Sequence, residues 1–163
     1  MTTQFVDQDI RADEGFRANA YPDPLSGGDP WTIGYGSTGP GIVAGVTWSL
    51  AQAAADQTKR RQAIEVELDR SISWWRSLCD ERQDVLVNMS YNMGVQGMLA
   101  FHHMLAAARA GDFRTAAAEM LASTWANQVK TRAVRLATQM MNGQRAGQPP
   151  ADFGQSATQQ ALG

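Results

Sequence analysis

The 163-residue chain contains a single cysteine, Cys79, so it holds no intramolecular disulfide and no cysteine-based zinc framework. Its two histidines, His102 and His103, are adjacent and point to different sides of a helix, which denies them the i, i+4 spacing of a helical zinc pair. No metal and no cofactor is expected. Charge is sparse and balanced: 14 Lys and Arg against 16 Asp and Glu give a formal net charge of −2, without the positive field that holds nucleic acid or an anionic membrane. No window approaches ~18 uninterrupted apolar residues, and the opening MTTQFVDQDI lacks the basic flank and apolar run of a signal peptide. Neither nucleic-acid binding nor stable membrane insertion is expected, and the chain should stay where it is made unless another factor releases it. A Gly-x-Ser-x-Gly elbow and a phosphate loop are also missing, since Gly34-x-Gly36 has no helix start behind it.

Hydrophobic residues make up 44% of the chain, enough for one compact domain over 1–163 that buries about 70% of its unfolded surface. The small net charge hides an asymmetry. Residues 1–36 hold six acids (Asp7, Asp9, Asp13, Glu14, Asp23, Asp29) and two bases, whereas four bases (Lys130, Arg132, Arg135, Arg145) and one acid, Asp152, follow residue 120. An acidic beginning and a basic end point to a site made between them, with the basic residues facing its cleft.

Phe5, Val6 and Ile10 share one face of a helix running from Thr3 to about Glu14. The breaker-dense stretch Tyr21 to Pro30 and the β-rich Trp31 to Gly36 predict a hairpin or meander within 18–46, too small to be stable alone. Ser49 with Gln52 three residues on forms a capping box for a helix over about 49–73, which at ~36 Å could join two lobes. Further helices are predicted from Asp80 to a stop at Gly94, from Leu99 to Ala110, from Phe113 to Ala122 after an Asp112 cap, and from Thr124 to Met141 with a break near Val129. The predicted class is α+β, mainly α: an N-terminal helix and β lobe (1–48), a connecting helix (49–73), a helical lobe (74–143), and a polar tail (144–163) with little to bury.

Glu14 at a helix end, Asp23 nine residues later in a turn, and Thr32 nine after that at a strand start form the chemically suggestive set. Glycoside hydrolysis needs two carboxyl groups across a sugar, one protonated to donate to the leaving oxygen and one ionised to assist water or the forming cation. Spacing alone also fits a loop-bonding Glu14 and a turn-forming Asp23 between two prolines.

The segment from Glu14-Gly15 through Asp23 to Thr32-Ile33-Gly34-Tyr35-Gly36 resembles the catalytic signature of phage lysozymes of glycoside hydrolase family 24. Asn88-Met89-Ser90-Tyr91-Asn92-Met93-Gly94 resembles the core helix of that fold. Ser123 to Arg135, with Trp125, Asn127-Gln128 and Arg132-Ala133-x-Arg135, resembles the C-terminal motif of its T-even branch. The resemblance implies a lysozyme-like two-lobed fold and hydrolysis of the β-1,4 bond between N-acetylmuramic acid and N-acetylglucosamine in bacterial peptidoglycan. Carried over, Glu14 would be the general acid, Asp23 the carboxylate that activates water or stabilises the transition state, and Thr32 the holder of that water. Arg132 would support Glu14, while Tyr91 and Asn92 would contact substrate, with core packing the other reading of Tyr91. The reaction requires Glu14 to keep its proton in a partly buried place while Asp23 stays ionised in a wetter one.

Two departures stand out. The interval from Asp23 to Thr32 is three residues longer than usual, which predicts a longer hairpin tip with its ends kept. Ser37 stands where the family usually has His, which removes a buried ion pair without touching the chemistry. The implied role is a monomeric endolysin made in the cytoplasm of the host bacterium and acting on the wall after release through a separate, holin-type pore. A non-catalytic or tail-associated peptidoglycan-binding module, or a lytic transglycosylase, is the alternative.

Overall fold

The computed structural model describes residues 1–147. Its eight α-helices and one two-stranded sheet give the expected α+β, mainly α, lysozyme-like class. Helix α1 (Val6–Glu14) leads into strand β1 (Arg17–Tyr21), which pairs antiparallel with β2 (Thr32–Gly34), Tyr21 opposite Thr32 and Arg17 opposite Gly34. The other edge of β1 is covered by residues 46–48: Ala20 N–H donates to Val46 O, and Trp48 N–H to Ala18 O. The meander therefore has a third, irregular strand.

Helix α2 (Leu50–Ser71) begins as its capping box requires, Gln52 N–H donating to Ser49 Oγ at 3.1 Å and Ser49 N–H to Gln52 Oε1 at 2.8 Å. Near its start, Ala53 packs under the β lobe at Gly34. A Cβ on Gly34 would lie 3.0 Å from the Trp48 ring and 3.2 Å from Ala53 Cβ, so the glycine lets strand and helix close. Near its end, Leu68 is fully buried in the helical core. At about 33 Å, this one helix belongs to both lobes.

A 3-10 turn (Ser73–Ser77) buries Trp75, whose indole N–H donates to Asp69. Helices α3 (Asp80–Met93), α4 (Val95–Leu99), α5 (His102–Arg109), α6 (Phe113–Leu121), α7 (Thr124–Val129) and α8 (Thr131–Asn142) follow. Helix α3 is buried continuously from Gln83 to Tyr91 and packs against α1, α2, α4 and α8. The expected helix from Leu99 starts instead at His102, and α7 and α8 are separated at Lys130, whose φ of 46° interrupts the ladder.

Two placements differ from the sequence reading. Helix α1 packs on α3, with Val6 and Ile10 in the helical core, so it belongs to the helical lobe although the chain then enters the β lobe. The start of the tail is docked: Arg145 makes a forked contact with Asp9 at 2.9 and 2.6 Å and covers Phe5. The remainder of the expected loose tail lies outside the described residues.

Asp84 on α3 accepts from the N–H and the hydroxyl of Thr3. Burial pushes its carboxyl up to about 6, against the pull of those hydrogen bonds and with help from the charges of Asp9 and Glu81. A folded-state value above the unfolded one favours the fold below about pH 4, and the advantage is lost as pH rises through about 6. Asp84→Asn should therefore gain about 2 kcal/mol relative to wild type between pH 4 and pH 7, measured by urea unfolding at both pH values.

Candidate active site

Glu14 is the last residue of α1, and Gly15 leaves the helix with φ 70°. Its Oε1 accepts from Arg132 Nη1 at 2.8 Å, and the two side chains are 19% and 9% exposed. Arg132, in the first turn of α8, is itself held: Nε donates to Asn88 Oδ1 at 2.9 Å and Nη2 to the Asn88 carbonyl at 3.3 Å. Asn88 Nδ2 donates to Asp13 Oδ2 at 2.9 Å, and Arg135 donates to the same oxygen. A buried guanidinium is thus fixed from both sides before it reaches Glu14, and its planar fork makes that possible.

The other oxygen of Glu14 faces the β lobe. A Cβ built on Gly36 would lie 3.5 Å from Glu14 Oε2. With φ at 82°, Gly36 adopts a conformation that suits glycine and brings bare backbone to the carboxylate. Gly36 sits in the turn closed by reciprocal bonds between Ile33 and Ser37, and Thr32 precedes that turn on β2.

Asp23 lies two residues beyond β1, in the loop that returns to β2. Its Oδ1 accepts the N–H groups of Ser26 and Leu25 at 2.8 and 2.9 Å, and these bonds hold its carboxyl below the usual carboxylate range. The longer loop closes on itself, with Asp23 N–H donating to Gly28 O, Gly27 N–H to Asp23 O and Ser26 Oγ to Asp29 O. The extra residues build the tip, with Asp23 two residues past β1 on one side of it and Thr32 opening β2 on the other. Asp29 is an exposed turn residue.

The two substrate-contact candidates fare differently. Asn92 is exposed at the end of α3 and accepts from the indole N–H of Trp125 at 2.8 Å, which leaves its amide NH2 directed by a fixed carbonyl. Trp125 is buried, edge-on to Phe101, and anchors α7. Tyr91 is only 7% exposed, with its hydroxyl bonded to Tyr35 O and Arg60 and Arg60 lying over its ring. Of its two readings, burial supports packing over sugar contact. At Ser37 the hydroxyl donates to Asp56 and accepts from Arg60, so hydrogen bonds occupy the place where an ion pair was expected to be lost.

Asp13 and Asn88 have no role in the sequence reading, and Arg135 enters it only as a cleft-facing charge. The signal was there for Asn88, a polar residue in the middle of the apolar run Val85 to Met89, where a buried amide must find partners. The C-terminal arginines differ from expectation: Arg132, Arg135 and Arg145 pair with the acids of α1, so their charge is neutralised locally. Among the described residues, no group of three or more His, Cys, Asp or Glu could hold a metal ion.

Because Arg132 bridges Glu14, Asn88 and, at 3.4 Å, Asp13, Arg132→Ala should cost about 2–4 kcal/mol of stability, leaving Glu14 partly buried and unpaired. Arg132→Lys should recover little of it, since an ammonium cannot reach Asn88 and Glu14 together. Denaturant midpoints of the three proteins check both statements.

The phage lysozyme family matches the chain over residues 11–140. The pre-baseplate central spike protein Gp5 of Enterobacteria phage T4 is 38% identical over 69 residues, which are 42% of this chain and 12% of that protein. The match thus spans about one eighth of the length of that curated relative. The family match extends from the last turn of α1, through the Glu14 clamp and the β lobe, to the last turn of α8. This chain belongs to the phage lysozyme family.

Proposed function

We propose that the chain is an endolysin that cleaves the β-1,4 bond between N-acetylmuramic acid and N-acetylglucosamine, with Glu14 as general acid. The observation that supports this reading is the division of the Glu14 carboxyl: Oε1 is taken by Arg132, and Oε2 faces the Gly36 turn. Oε2 is then the oxygen that carries the proton to the leaving glycosidic oxygen. Asp23, kept ionised by two backbone donors, assists the attacking water or the oxocarbenium-like transition state, and Thr32 orients that water. Asn92 offers its amide to the N-acetyl or peptide groups of the substrate. The chain works as a monomer and reaches the wall from the host cytoplasm through a separate holin-type pore.

A tail-associated role is the second reading, favoured by the similarity to the Gp5 spike protein. The two separate on where the chain is found, free in the lysate or bound to purified particles. Lytic transglycosylase chemistry dispenses with a partner carboxylate, and the ordered, ionised Asp23 argues against it.

Clearing of outer-membrane-permeabilised Gram-negative cells tests the catalytic reading. Wild type should clear them, and Glu14→Gln and Asp23→Asn should each lose at least 100-fold in rate, about 2.7 kcal/mol or more of barrier. Full clearing by Glu14→Gln would overturn the assignment.

A further inference from the structure

Tyr91 sits on α3 in the helical lobe, yet its polar contacts run to the β lobe and to the helix between them. Its hydroxyl donates to the Tyr35 carbonyl at 2.9 Å and accepts from Arg60 Nη1 at 2.8 Å. The Arg60 guanidinium also lies 4.4 Å from the ring centroid. The same Nη1 donates to the Tyr35 carbonyl at 3.3 Å and to Ser37 Oγ at 3.1 Å, and Ser37 Oγ donates to Asp56. Burial pushes the Tyr91 hydroxyl up to about 12, so it remains a donor at any working pH.

What these contacts hold is the turn Gly34-Tyr35-Gly36, closed by Ile33 N–H to Ser37 O at 2.9 Å and Ser37 N–H to Ile33 O at 2.8 Å. Thr32 enters the turn at one end, and near the other Gly36 meets Glu14 Oε2. Glu14 itself is positioned by Arg132 through Asn88, three residues before Tyr91 on α3. Residues three apart are neighbours on a helix surface. One turn of α3 therefore holds both sides of the site: Asn88 sets the carboxyl, and Tyr91 sets the backbone facing it.

We propose that Tyr91, acting with Arg60, is a positioning residue for glycosidic cleavage, fixing the 33–37 turn against α3 and with it the spacing of Thr32 from Glu14. The proposal rests on the muramidase reading above. It gives Tyr91 no contact with the sugar. Misplacement of a reacting group by about 1 Å can cost ~100-fold in rate, so the effect belongs in kcat.

The test is steady-state kinetics of the full chain on soluble glycan strands of defined length, at a temperature well below unfolding, for wild type, Tyr91→Phe, Ser37→Ala and the double variant. Tyr91→Phe keeps the buried ring and deletes the hydroxyl. Its kcat should fall roughly ten- to hundredfold with KM within about twofold of wild type. Ser37→Ala should lower kcat in the same direction, and the double variant should lose less than the product of the single losses, because both act on one turn. Unchanged kcat in folded Tyr91→Phe overturns the proposal, as does a raised KM at constant kcat, which would make Tyr91 a substrate contact. If Tyr91→Phe fails to fold, Ser37→Ala decides alone, with unchanged kcat again contrary. An inactive wild type would overturn the muramidase reading and this proposal together, whereas an active wild type matched by its variants overturns only the proposal.

Discussion

Arg132 reaches back across 118 positions of sequence to Glu14, and the placement of everything around the site depends on that contact. The chain must bring α1 onto α8 before the carboxyl has its guanidinium partner. Burial of Val6 and Ile10 on α3 supplies the attraction, about 1.5–3 kcal/mol for each fully buried side chain. The three ion pairs of α1 with Arg132, Arg135 and Arg145 add less each, because their charged groups stay partly in contact with water. Their geometry settles something burial cannot. An apolar face tolerates small rotations and slides, whereas Asp9, Asp13 and Glu14 meet three arginines only in one register.

The two carboxyls of the site are treated in opposite ways by the fold. Glu14 ends a helix between two lobes, with one oxygen held by a guanidinium and the other turned toward a glycine backbone. Asp23 sits in an open loop, where the N–H groups of Leu25 and Ser26 favour its charge without burying it. The proposed hydrolysis gives the proton donor's part to Glu14 and the ionised partner's part to Asp23. The lengthened loop does not disturb it, since the added residues hydrogen-bond among themselves beyond the paired strands.

Much of this organisation was legible in the sequence where local rules apply. The Ser49–Gln52 capping box started α2 where expected, and Gly94 marked the end of α3 because positive φ is cheap only for glycine. The Glu14, Asp23 and Thr32 set was visible as a pattern, and the acid-to-base asymmetry of the chain correctly joined its two ends. Long-range packing was not legible. Nothing local says that α1 joins the helical lobe, that the C-terminal arginines are occupied by α1 and do not face a ligand, or that Tyr91 turns inward. Each of these depends on which face of α3 a distant segment covers, and α3 is buried on every side from Gln83 to Tyr91.

In the proposed reaction two carboxyl groups on opposite elements hydrolyse a glycosidic bond with water as the acceptor. Mass spectrometry of muropeptides released from purified peptidoglycan in 18O-labelled water tests it most directly. Hydrolysis should give hydrated reducing ends carrying one labelled oxygen at the muramic acid anomeric carbon. Anhydro-muramic acid ends without label would contradict it, because they form when the sugar's own hydroxyl takes the place of water.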